Sequence, residues 1–394
     1  MNILFVVDEF PFPARNGVTI PVANFIKSFH SKGHLVDLLY FDTGDNYPVD
    51  ANLMSSVNYV HRVPLSRKNK FKGLFNELRG DEAIFESWEI AATSKDSYKF
   101  LQSYDLVWAS PIRPFALWLK FRKDFSIDAG NVVASVNDSY ELTLRALSKK
   151  KNNFLLRKLY GMRASAMSSI ESGLLEKANF VAVQSQKEVD FFESKKNNNL
   201  NIIELKNGVS ENYFTGCSDK EYDLIFVGTL DDFYKNSLKW FINNVYIKLS
   251  EPRPSFIIIG KGATSKDIEL FGKLSIKYIP FVDELDPFYF KSKILVAPIF
   301  KGYGTINKVL EAMAAACVVI GDETAFNGIE GFIDSTHGLI ANNESQFIEK
   351  IQFVLKNKNI AKNIGENSRD LMIKNFSWDS RVDKFLELIK DYEK

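Results

Sequence analysis

The sequence predicts an α/β protein built from two Rossmann-like, doubly wound domains that face each other across a cleft. Three observations predict it. Short, near-continuous apolar runs alternate with helix-period stretches, the pattern of parallel strands joined by crossover helices. That alternation restarts after a polar, Asn-rich tract, "NNNLNIIELKNGVSENYF". The length, 394 residues, is enough for two full hydrophobic cores.

Taken in order, "NILFVV" reads as a buried strand, and "DEFPFPARNG" follows as a loop. The stretch "VANFIKSFHSKGH" has the helix period and ends at Gly33, and "LVDLLYF" is the next strand. Strand, helix and strand in so short a span require a right-handed parallel crossover. "YDLVWAS", "NVVASV" and "NFVAVQS" continue the first series, with polar helical segments such as 139–177 between them. The second series is "YDLIFVG", "SFIIIG", "ILVAPI" and "VVIG". The Asn-rich tract reads as a connector, so the boundary is placed near 207, giving domains 1–206 and 207–375. Residues 376–394 form an amphipathic helix, with Ser377 as N-cap and Val382, Phe385, Leu386 and Ile389 as its apolar stripe.

The bulk numbers narrow the function classes. A net charge of +1 gives no global reason for nucleic-acid binding. Two cysteines, Cys217 and Cys317, make neither a disulfide framework nor a zinc spacing, and four scattered histidines make a metal cluster unexpected. The N-terminal run "ILFVV" meets Asp8 and Glu9 too soon for a signal segment, and no run reaches the ~20 apolar residues of a membrane span. The expectation is a cytoplasmic protein, able to lie against the inner face of a membrane.

Open α/β sheets bind ligands beyond the carboxyl ends of their strands. One loop there carries an unusual residue set, "FKGYGTINKVLEAMAAACVVIG" at 300–321. Gly302 and Gly304 clear side chains where a ligand backbone would approach. The helix behind them offers unpaired amides, and Lys308 adds a full positive charge. These are the parts of a metal-free diphosphate cradle, without the spacing of a Walker loop. Glu311, one turn further on, can accept hydrogen bonds from two adjacent hydroxyls, as on a ribose. The same residue types also fit a flexible strand–helix turn with a surface Lys–Glu pair.

The segment "GYGTINKVLEAMAAACVVIGDETAFNGIEG" resembles the donor-binding segment of GT-B glycosyltransferases, in particular the retaining family 4. Four further stretches resemble that family in the right order: "FPFPARNGVTIPVANFIKSFHSKGHLVDLL", "VQSQKEVDFF" with "LKNGVSENYF", "LIFVGTLDDFYKNSLKWFINNV", and "IAKNIGENSRDLMIKNFSWDSR". The resemblance implies a metal-independent, retaining transfer from a nucleotide-diphosphate sugar to a glycan or lipid-linked acceptor, with no cofactor beyond the donor. It further implies a role in bacterial surface polysaccharide synthesis. The first domain would serve the acceptor, the second the donor, and the last helix would cross back to the first domain.

Carried over by position, the resemblance places Gly302, Gly304 and Thr305 at the diphosphate, Lys308 at its developing charge and Glu311 at the ribose. Gly228, Lys235 and Asn236 would line the same groove, and Gly17 would let a loop close on the sugar. Asp138 falls where the family often has a His-Asp pair, with Asn137 in place of the histidine. Lys308, Glu311 and Asp138 are the catalytic candidates. Two departures stand out. Tyr303 replaces the first of two glutamates common in the family, and "Ala316, Cys317, Val318" replaces its Gly-x-Pro, so a differently shaped turn is expected there. The alternatives are a sugar-nucleotide epimerase of the same fold and a non-catalytic nucleotide-sugar-binding partner.

Other stretches read more plainly. "GKGATS" lacks the third glycine of a dinucleotide fingerprint. Cys317 and the tryptophans Trp88, Trp108, Trp118 and Trp240 read as core, and Asp283, Glu284 and Asp286 as a helix-start cluster. "SRKNKFKGLF" and "ALSKKKNNFLLRKLYGMR" mix cations with apolar residues, which fits either a solvated face or contact with anionic lipid.

Overall fold

The computed structural model describes residues 1–12, 14, 17–42, 44, 53–67, 88–90, 103–136, 139–150, 153–195, 200–216, 218–230, 232–300 and 305–392. The chain divides into two compact units, one of residues 1–206 with 385–394, the other of residues 207–384.

The first unit is built on eight strands: β1 (Asn2–Val7), β2 (Leu35–Asp42), β3 (Tyr59–Arg67), β4 (Trp88–Ile90), β5 (Ser103–Ala109), β6 (Asp128–Val136), β7 (Phe180–Val183) and β8 (Asn201–Glu204). Their order is β4-β3-β2-β1-β5-β6-β7-β8, parallel throughout except for β4 on β3. The apolar run of β1 follows from its central place, for Ile3 to Val7 are all buried. Ile3 stands beside Val36 on one side and Leu106 on the other. Trp108 and Trp118 are core, as the sequence predicts. Within this unit the Phe385 ring lies 4.9 Å from that of Trp108 and 6.3 Å from that of Phe29. Truncating so buried a ring to alanine costs about 3–5 kcal/mol.

The second unit carries β9 (Tyr222–Val227), β10 (Phe256–Ile259), β11 (Lys277–Ile279), β12 (Ser292–Ala297), β13 (Val318–Gly321) and β14 (Leu339–Ile340), ordered β11-β10-β9-β12-β13-β14 and all parallel. Alternate side chains feed two cores. Leu224, Phe226, Ile258, Val296 and Ile320 pack on one face, and Ile225, Val227, Ile259, Leu295 and Val319 on the other. Strand order reverses between β9 and β12, the place at which open α/β sheets bind their ligands.

Several local expectations meet a different outcome. The Asn-rich connector contains the edge strand β8, because the short run "NII" finds β7 to pair with. The stretch 139–177 forms two helices, Tyr140–Lys150 and Phe154–Leu175, the second capped by Asn153. The turn at Ala316 keeps the left-handed conformation, φ 50°, although alanine stands where glycine is usual. Gly365 makes this possible, since a Cβ on it would come 2.6 Å from the Ala316 carbonyl oxygen. The final helix, Trp378–Tyr392, starts as expected: Ser377 Oγ accepts a 3.1 Å hydrogen bond from the Ser380 amide. Val382, Phe385 and Ile389 are buried along its stripe.

Candidate active site

At the carboxyl end of β9 the chain reaches Gly228, and at the end of β10 it reaches Gly260. The two backbones touch. Gly260 has φ +149°, and a Cβ on it would stand 1.9 Å from the Gly228 carbonyl oxygen. Gly262, φ +104°, lies against Leu230, whose carbonyl oxygen would be 2.8 Å from a Cβ there. Backbone packing therefore accounts for the glycines of "GKGATS". Its Thr264 caps the helix Ser265–Lys273 in a reciprocal box with Asp267.

The helix Asn307–Ala314 follows the loop after β12. Its N-cap, Ile306, supplies no side-chain hydrogen bond, so none of its first-turn amides is met by a cap. Lys308 in that turn lays its ammonium over the Tyr234 ring, 3.8 Å from the centroid. The same Nζ is 3.0 Å from where a Cβ on Gly228 would stand. The glycine at the end of β9 thus leaves room for a cation carried by a distant helix. Glu311 accepts a 3.3 Å hydrogen bond from the Tyr289 hydroxyl. Burial pushes its carboxyl up to about 6, against the opposing pull of the Tyr289 hydrogen bond and the Lys308 charge. The Tyr289 phenol is itself driven up by burial and by Glu311. Asp322 fixes the frame: its carboxylate accepts from Ile299 N at 2.6 Å and Thr324 N at 3.0 Å, tying the end of β12 to that of β13. Phe300, where the loop begins, has φ 42° and packs its ring 4.6 Å from Trp240.

Of the other candidates, Thr305 is half-buried just ahead of the helix, and Asn236 is exposed on the helix Asp232–Asn244. Lys235 Nζ lies 2.7 Å from Asp267 Oδ2, so it can reach a ligand only by giving up that pair. Gly302, Gly304, Tyr303 and Asp138 lie outside the described residues. Sequence reasoning missed Tyr234, Tyr289 and Asp322. The first two meet the site from elements remote in sequence, where no local spacing marks them. Asp322 carried a signal, an acid immediately after a buried strand.

The sequence profile of the family described as "Glycosyl transferases group 1" matches residues 221–357, which include Gly228, Lys308 and Glu311. An uncharacterized glycosyltransferase of Methanocaldococcus jannaschii is 34% identical over 137 residues, 32% of this chain and 38% of that protein. Anabaena HepE, solved in complex with UDP, has a TM-score of 0.60 at 12% identity, over 99% of this chain and 100% of that one. Residues 221–357 belong to the group 1 glycosyltransferases, and the chain as a whole has the GT-B fold. A 44.6 kDa protein of the cps region of Klebsiella pneumoniae is 22% identical over 95% of this chain and 96% of its own length.

The first unit has its own reversal of strand order, between β1 and β5. Asp8, after β1, is buried and paired with Arg113, in the first turn of the helix Ile112–Phe125. Burial raises its carboxyl, and Arg113 opposes that. Next to the position of Asp138, the buried Glu171 accepts from Ser139 Oγ at 2.8 Å and Tyr140 N at 2.5 Å. Burial carries Glu171 to about 7 in spite of those bonds. Gly17 is exposed, and a Cβ there would meet nothing within 4 Å, so no packing demand explains it. Cys317 is buried core, its thiol pushed up to about 11 by burial. A cavity of about 630 Å³ lies at the opposite, amino end of the second sheet, between Lys220, Lys293, Val318 and Lys358. It is remote from the strand ends that carry Lys308. Among the described residues no helix is long and apolar enough to cross a membrane.

Proposed function

We propose that this glycosyltransferase moves a sugar from a nucleotide-diphosphate donor to a glycan acceptor, without a metal and with retention at the anomeric carbon. The observation that carries the reading is the Lys308 ammonium beside Gly228, at the reversal of the second sheet. As the bond from sugar to phosphate breaks, negative charge grows on the departing diphosphate. Lys308 and the uncapped amides at the start of its helix are fixed in advance to receive that charge, and such preorganised donors are usually the largest catalytic term. Glu311, a turn deeper, accepts from the ribose hydroxyls. The UDP held by the structural neighbour HepE and the cps-region relative support a nucleotide donor and a role in surface polysaccharide synthesis.

A thermal-shift panel of nucleotide-diphosphate sugars tests the donor, since a ligand at about 100 times its Kd stabilises by about 2.7 kcal/mol. Glu311→Ala should lower kcat/KM roughly 10- to 100-fold, the worth of hydrogen bonds to a charged group. Asp286→Ala, in the first turn of the helix Asp286–Phe290, should be nearly silent. Equal behaviour of the two variants would remove Glu311 from the site.

A further inference from the structure

The strongest feature outside this site is the pair of helices Tyr140–Lys150 and Phe154–Leu175. Phe154 is 74% exposed and Leu155 73%, with Met162 at 53%, Leu156 at 43% and Leu147 and Leu159 at 37% each. Large apolar side chains scattered singly on a surface need no explanation, but six along one hairpin do. Their positions are fixed. Asn153 Oδ1 accepts from Leu155 N at 2.9 Å and Leu156 N at 3.2 Å, which starts the second helix with these residues in its first turn. Ser148 Oγ donates to the Arg157 carbonyl at 2.8 Å and ties the two helices together. The core demand of the second helix is met by other residues, for Ala164, Met167, Ile170 and Leu174 are buried. The apolar tip is therefore surplus to folding.

Charge identifies what would cover it. From 142 to 170 the chain has seven Lys and Arg residues and no Asp or Glu, within a protein of net charge +1. Lys149, Arg157 and Lys158 are exposed among the apolar side chains. Both acids that border the stretch, Glu141 and Glu171, are buried. We propose that this hairpin is a docking surface for an anionic lipid bilayer, with Phe154 and Leu155 entering the headgroup layer while the cations meet its phosphates. A second copy of the chain fits poorly, because a self-complementary contact would bring Lys149, Arg157 and Lys158 against their own counterparts. Nucleic acid would use the cations but leave Phe154 and Leu155 in water. The hairpin continues directly from β6 and the position of Asp138, so docking would hold the first unit's strand ends near the lipid surface. The inference does not depend on the donor reading.

Vesicle co-sedimentation of the full chain tests it, with phosphatidylcholine alone and with equal parts phosphatidylcholine and phosphatidylglycerol. The protein should bind the anionic vesicles about tenfold or more tightly, and release in high salt, each cation being worth roughly fivefold in affinity. Phe154→Ser with Leu155→Ser, and separately Lys149→Glu with Arg157→Glu, should each cut binding about tenfold or more without lowering Tm, because all four side chains are exposed. The proposal is overturned by any of four results. These are no sedimentation with either vesicle, equal binding to both, variants that sediment like the parent, or a solution dimer abolished by Leu155→Ser.

Discussion

The ammonium of Lys308 is positioned by two residues that act in opposite ways, Tyr234 by offering a ring face and Gly228 by offering nothing. Replacing Lys308 with methionine keeps the stem and removes the charge. The expected result is a roughly hundred- to thousandfold fall in kcat with little change in Tm, and an unaltered kcat would show that the charge is idle. Ala316 offers a separate test. Its left-handed backbone costs about 1–2 kcal/mol, from which the entropy gained over glycine recovers about 0.4–1. Ala316→Gly should therefore raise stability by roughly 1 kcal/mol, and a drop on denaturant titration would mean the turn needs the methyl group. Lys308 and Glu311 were legible in the sequence because glycine, charge and helix start follow one another in a short span, whereas Gly228 was reached only through the family resemblance. Tyr289 was not, because its bond to Glu311 crosses 22 residues and exists only once the helix Asp286–Phe290 has docked.

At the scale of elements, the central strands announced themselves through buried apolar runs, β1, β9, β10 and β12 above all. The edges did not. β11 has three residues and β14 two, too few to show any period. β3, one place in from the edge, carries Pro64 and mixes His61 and Arg62 with its apolar residues. Each is a strand because a neighbour offers it a ladder, which no local pattern records. The helix Ser265–Lys273 shows the converse, a capping signal written in four residues, "TSKD". Burial would raise Asp267, but hydrogen bonds from Lys235, Thr264 and Lys239 outweigh it and hold the carboxyl well below the usual range. Thr264→Ala should cost about 1 kcal/mol in chemical denaturation. Lys235→Ala, assayed for donor KM, decides whether that lysine serves the cap alone or also the substrate.

For the whole molecule, both units keep buried carboxyls above their ordinary values, Glu171 at about 7 and Glu311 at about 6, with Asp8 also raised by burial in the first unit. Such groups bind protons more readily folded than unfolded. Their contribution is complete below about pH 4.5 and is lost as pH rises through 6 and 7. Asp223 and Asp267 are shifted down and lose theirs only in stronger acid. His34 and His337, lowered by partial burial, work the other way below about pH 6.5, but near the surface their effect is smaller. Tm should fall from pH 5 to pH 8, and Glu171→Gln with Glu311→Gln should reduce the slope, leaving the part that belongs to Asp8. A parent protein with no slope, or a double variant that keeps it, would mean that water reaches both carboxyls.

The contact between Gly260 and the Gly228 carbonyl has an evolutionary corollary. On the proposed donor reading, a floor made by main chain against main chain leaves no side chain to exchange, so descendants of this protein cannot retune their donor preference there. Any library meant to broaden the donor repertoire should hold both glycines constant and diversify the rim, beginning with Thr305 and Asn236. Clones that survive with a bulkier residue at 260 would have had to pull the two strand ends apart.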